Sequence, residues 1–153
     1  MSDAAQPVMN FQVNAQYIKD LSFEAPGAPQ IFAALQGTQP EVNVQINLDA
    51  QPMGSHLYEI GLQLKVEAKA REKIAFILEL NYCGIFTVEV PEEHLQPMLL
   101  IECPRLLFPF ARTIIADAVR DGGFPPILLQ PIDFVAMYRS RIEQLAAQQK
   151  GQA

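Results

Sequence analysis

Side chains able to do covalent or metal chemistry are few in this chain: two cysteines, Cys83 and Cys103, and two histidines, His56 and His94. Nucleophilic catalysis would need a thiolate beside a base, and a metal centre would need three or four such groups at ligand spacing. Neither pattern is present. The histidines stand in unrelated contexts without a carboxylate or cysteine at ligand spacing, so no metal is expected. Cys83 and His94 could meet in a fold, but the apolar residues around Cys83 raise a thiol pKa and blunt its reactivity. Both cysteines read as buried free thiols. Gly122-Gly123 follows a helical stretch instead of opening one, which makes it a stop signal and not a phosphate loop. The residues thus point away from an enzyme and imply no cofactor.

What surrounds these residues is one domain's worth of sequence, 153 residues with a net charge of −6 and a pI near 4.8. Nucleic acids and anionic membrane surfaces need a basic face, so neither is expected as a partner. An acidic surface suits a basic protein partner. No stretch reaches the roughly 20 apolar residues that span a bilayer, and the first residues do not form a secretion signal, so no membrane insertion and a cytoplasmic location are expected. Residues 1–10 read as a disordered tail, 11–148 as the domain and 149–153 as a frayed end.

Strands dominate the first ninety residues. Phe11, Val13, Ala15, Tyr17, Leu21 and Phe23 alternate with polar residues, with Lys19 as the one interruption. Pro26-Gly27-Ala28-Pro29 ends this strand. Val42, Val44, Ile46 and Leu48 alternate with Glu41, Asn43, Gln45, Asn47 and Asp49. Tyr58 to Ala68 repeats the pattern, with Lys65 and two glutamates among the outward residues. The fourth strand, Ile74 to Val90, differs: Ile74, Phe76, Leu78, Leu80, Tyr82, Phe86 and Val88 form its inner set, yet Ala75, Ile77, Cys83 and Ile85 occupy the other face. A strand covered on one side only has no use for outer isoleucines, so a second surface is expected to cover part of that face. Four strands with short connections, then helices, make an α+β fold: a four-stranded antiparallel sheet with helices packed on one face.

A short helical segment, Glu92 to Glu102, precedes the main helix, which opens at Pro104 and stops at Asp121-Gly122-Gly123. Leu107, Ala111, Ile114 and Ala118 form one apolar stripe and Phe108, Ile115 and Val119 a second. Together they are wider than one sheet needs, so Leu107, Phe108, Ala111, Ile114, Ile115 and Ala118 are expected to join copies of the chain. Phe124-Pro125-Pro126-Ile127-Leu128-Leu129 follows as an apolar loop that prolines keep irregular, either packed lid or sticky surface. Asp133 is placed to cap a last helix carrying Phe134, Met137, Tyr138, Ile142 and Leu145.

Three stretches together resemble the SecB family of bacterial export chaperones: Lys19-Asp20-Leu21-Ser22-Phe23-Glu24-Ala25-Pro26, Gly84-Ile85-Phe86, and Cys103-Pro104-Arg105-Leu106-Leu107-Phe108-Pro109-Phe110-Ala111-Arg112 with Gly123-Phe124-Pro125 and Leu129-Gln130-Pro131-Ile132-Asp133-Phe134. The resemblance runs from Phe11 to the last helix. It implies a homotetramer built as a dimer of dimers that holds unfolded precursor proteins without using ATP and delivers them to the motor ATPase SecA. It places SecA binding on Asp20, Glu24, Ile77 and Glu79. Client binding falls on Val42, Val44, Phe124, Pro125, Ile127, Leu128, Phe134 and Met137. A SecB-like chaperone dedicated to an antitoxin is the alternative within the class. A small-ligand-binding α+β oligomer is the alternative outside it, and it lacks a convergent polar set.

Overall fold

A computed structural model describes residues 9–151. Its four strands are β1 (Asn10–Glu24), β2 (Glu41–Gly54), β3 (Leu57–Ala70) and β4 (Lys73–Glu89). They form one antiparallel sheet in the order β1-β4-β3-β2, so the first two strands lie at opposite edges. The segment between them carries the short α1 (Ile31–Ala34), whose Ile31 is buried. Of the expected tail, residues 1–8 lie outside the described residues, and β1 already begins at Asn10.

Alternation sorts β2 and β3 as expected. Val44, Ile46 and Leu48 pair with Val66, Leu64 and Leu62 on the face beneath the helices, while Glu41, Gln45 and Lys65 face the other way. On β1 the simple parity fails. Its pairing with β4 slips between Val13 and Ala15 and again between Ile18 and Asp20, leaving Asn14 and Lys19 as extra residues. Each extra residue inverts the side-chain order beyond it. Ala15 and Tyr17, expected on the helix face, therefore stand opposite Ile85 and Cys83 on the outer face, and Gln16 and Ile18 take the helix side. The second slip restores the original order, so Leu21 and Phe23 return inward. A similar irregularity between Ala68 and Lys69 pairs Ile74 with Lys69 and moves it off the inner set.

From Glu92 to Asp121 the chain is helical almost without pause: α2 (Glu92–Pro97), a π-helical turn (Met98–Glu102) and α3 (Cys103–Asp121). Pro97 and Pro104 flank the wide turn, and each removes an N–H from the helical ladder where the register changes. Buried Leu107, Ala111, Ile115 and Val119 seat α3 on the sheet against Ile60, Leu64, Leu78 and Phe86. Gly84 makes the close approach possible, because a Cβ there would lie 3.0 Å from Leu107 Cδ2 and 2.6 Å from Phe86 Cε2. The helix ends as its glycines foretold. Gly123 takes φ +95°, the Gly123 N–H reaches the Arg120 carbonyl at 3.0 Å, and the Phe124 N–H reaches Val119 at 3.1 Å.

Helix α4 (Phe134–Lys150) starts where Asp133 Oδ1 accepts from the Ala136 N–H at 3.0 Å. Only its first turns touch the body: Phe134 is buried edge-on to Phe108, whereas every residue from Arg139 to Gly151 is exposed. The helix continues through Lys150.

Candidate functional site

The two faces of the sheet carry different chemistry. Outward, cross-strand register gathers the predicted docking residues: Glu24 lies opposite Ile77, Ser22 opposite Glu79, and Asp20 opposite Asn81. The same rows continue onto β3 as Glu67, Lys65 and Gln63. Ile77 is half-buried within this acidic surround, and Asp20, Glu24 and Glu79 are exposed. A shallow depression of about 360 Å³ is lined by Asp20, Glu79, Asn81, Gln63, Lys65 and Asn47. Alternation already turned Asn47 and Lys65 outward on their strands; strand order is what brings them, with Gln63 and Asn81, beside Asp20 and Glu79.

Next to these rows, Tyr17 donates to Glu59, and Lys19 Nζ stands 3.0 Å from the same carboxylate. Those two donors hold the Glu59 carboxyl below its usual range. Cys83, opposite Tyr17 on β1 and Gly61 on β3, is 1% exposed without any second subunit. Its thiol is pushed up to about 11, chiefly by burial and then by the Glu59 charge, so it is inert at neutral pH. Burial likewise lifts Cys103 to about 12. The outer apolar residues of β4 are thus partly covered by the chain's own neighbours. Among the described residues, no cluster of three or more His, Cys, Asp or Glu could hold a metal ion, and no helix is long and apolar enough to cross a membrane.

On the helix side, α3 covers β3 and β4 but leaves β2 half open. A trough of about 500 Å³ runs between Val44 and Ile46 of β2 and the segment Leu128 to Asp133, with Met137 at its end. A second depression, about 460 Å³, continues along Ile46 and Leu48 past Met137 and Tyr138 to Ser140, Arg141 and Gln144. Ile46 and Met137 belong to both, which makes one long groove, apolar at one end and polar at the other. The outer edge of β2 carries no strand among the described residues, so its backbone donors and acceptors are free beside the groove.

Of the predicted client residues, Val44, Leu128 and Met137 line this groove. Val42 is exposed further along the same face of β2, and Pro125 is exposed outside the groove. Ile127 packs against the core. Phe124 and Phe134 are core residues, 5% and 2% exposed. Phe124 closes an aromatic cluster with Phe32 and Phe76, both at 5.1 Å between ring centroids, and with Phe23 at 6.2 Å. Ile46, Pro131, Ile132 and Tyr138 line the groove as well, with the edge of the core residue Leu129. The β2 alternation already put Ile46 beside Val44, but no local pattern reports which loop residues turn inward.

The expected interface residues separate in the same way. Leu107, Phe108, Ala111 and Ile115 are at most 6% exposed and are spent on the chain's own core. The more open side of α3 carries Ile114, Ala118 and Leu106, half-buried against the edge of the core, and the unpredicted Phe110, which is 50% exposed and stacks on Tyr82. Their four-residue spacing was the available signal.

Residues 3–145 match the family model described as "Preprotein translocase subunit SecB". The chain is 55% identical to the protein-export protein SecB of Paramagnetospirillum magneticum across the whole of both chains. It is 54% identical to that of Rhodospirillum rubrum, over 89% of this chain and 84% of the relative. Among solved structures, a Mycobacterium tuberculosis SecB-like chaperone in complex with a ChAD peptide from the HigA1 antitoxin shares the fold, with a TM-score of 0.59 at 13% identity over 80% of this chain and 88% of that one.

Proposed function

The chain belongs to the SecB family of protein-export chaperones, and from that premise we propose that it holds precursor proteins unfolded and hands them to SecA. The observation that carries the reading is the separation of two surfaces on one sheet. The groove between β2 and the segment Leu128 to Asp133 offers apolar contact and a free strand edge, both indifferent to the exact client sequence. A client gains little at each point and holds by many. The opposite face offers exposed Asp20, Glu24 and Glu79 around Ile77, the arrangement that suits a basic module with one apolar anchor. Client and motor can then be held at once.

The chain acts in the cytoplasm as a homotetramer, and the stripe Leu106, Phe110, Ile114 and Ala118 supplies one of its contacts between copies. A native mass four times the 17.0 kDa chain is expected. No chemistry is assigned to it: Cys83 and Cys103 are buried thiols, and ATP is used by the motor. Export is favoured over service to an antitoxin by the 55% identity to export proteins.

The test is Glu79→Lys, measured by titration against SecA and, separately, against an unfolded precursor. SecA binding weakens and precursor binding is preserved. Equal loss of both would reject the two-surface reading.

A further inference from the structure

The acidity of the outer face is unevenly spent. Three lysines on this face each stand near a glutamate: Lys19 with Glu59 at 3.0 Å, Lys65 with Glu79 at 3.8 Å and Lys69 with Glu67 at 3.8 Å. Asp20 and Glu24, on β1, have no such cation within 4.0 Å among the described residues. Lys65 is the one that matters for docking, because its row runs Ser22, Glu79, Lys65, Gln45 straight through the patch. Both members of its pair are about half exposed, 45% and 53%, so water and a partner reach them equally.

Resting on the docking reading above, we propose that Lys65 sets the strength of the SecA site by competing, from within the chain, for Glu79. A basic partner that places a cation on Glu79 must displace the Lys65 ammonium and then tolerate it as a like charge a few ångströms away. The partner's charged contacts are accordingly weighted toward the unpaired Asp20 and Glu24. Lys65 is thus a brake that keeps docking weak enough for release, and it acts on the motor-binding face alone.

Exposed pairs of this kind are worth a factor of about two to five in an equilibrium constant. Lys65→Gln removes the competing charge while keeping a polar side chain only one bond shorter. Lys150→Gln, at the far end of α4, makes the same change in net charge elsewhere. Titration of the full-length variants with SecA is expected to show binding about two- to five-fold tighter for Lys65→Gln and unchanged for Lys150→Gln. Affinity for an unfolded precursor stays at the wild-type value in both. Unchanged or weaker SecA binding by Lys65→Gln overturns the inference, and so does equal tightening by Lys150→Gln, which would mark a bulk charge effect. If Glu79→Lys abolishes SecA binding while Lys65→Gln leaves it unaltered, only the brake fails. If the wild-type protein does not bind SecA, the docking reading itself falls and takes the brake with it.

Discussion

Leu128 and Leu129 are neighbours with opposite tasks, and the difference can be measured. Leu128 is 69% exposed at the lip of the groove, whereas Leu129 is 8% exposed and belongs to the core. Covering a whole leucine side chain contributes about 1.5–3 kcal/mol, so a client that covers the open part of Leu128 gains about 1–2 kcal/mol there, a factor of about 5 to 30 in affinity. Leu128→Ser forfeits that gain and leaves folding nearly untouched, because little is buried at this position in the free protein. Leu129→Ala deletes buried methyl groups and costs about 2–5 kcal/mol of stability. Two readouts separate them: thermal unfolding by circular dichroism, and anisotropy of a short labelled segment of an unfolded precursor. A short segment is needed because a long client engages many points and masks the loss of one. Leu128→Ser should retain the wild-type Tm and bind the segment about 5- to 30-fold more weakly. Leu129→Ala should melt several degrees lower. A Leu128→Ser protein that melts early but binds normally would refute the assignment of the groove.

Gly84→Ala forces a Cβ to within 3.0 Å of Leu107 and closer still to Phe86, both fully buried, so α3 must lift; a loss of about 1–3 kcal/mol in urea unfolding is expected, and a neutral result would contradict the packing. Cys83 and Cys103, their thiols raised to about 11 and about 12 by burial, should resist a thiol reagent at pH 8 in the native protein and react fully in guanidinium chloride; rapid native reaction of either would show that its site is open. Glu59 ionises more readily in the folded state, so its pair with Tyr17 and Lys19 stabilises the fold above the carboxyl's ordinary range and is lost on acidification through and below it. Glu59→Gln should therefore lower stability at pH 7 and flatten its fall as the pH drops through and below the carboxyl's ordinary range; parallel pH curves for the two proteins would show that the pair contributes nothing.

Much of this architecture was legible before any coordinates. The alternations of Val42 to Leu48 and Tyr58 to Ala68 assign those stretches of β2 and β3 to their faces, because a strand with one buried side admits only one register. Asp133 and Gly122-Gly123 mark helix ends through hydrogen bonds between near neighbours. Asp20, Glu24, Ile77 and Glu79 came from resemblance, and their common face from parity. The parity of β1 was not legible throughout. Counting from Phe11 misplaces Ala15 and Tyr17, since the slips at Asn14 and Lys19 are settled by pairing with β4, some seventy residues away in the chain.

Burial divides in the same way. That Phe124 and Phe134 are apolar is local; that they are core while Leu128 is surface depends on where α3 and α4 stop, and so does the burial of Leu107 and Phe108 within the chain's own core. By itself the sequence determined the periodicities, the helix caps and the family, because these are carried by residues close together or by motifs kept in order. Tertiary structure alone decided the strand order β1-β4-β3-β2, the bulges and the open flank of β2, because each follows from contacts between segments that no local pattern connects.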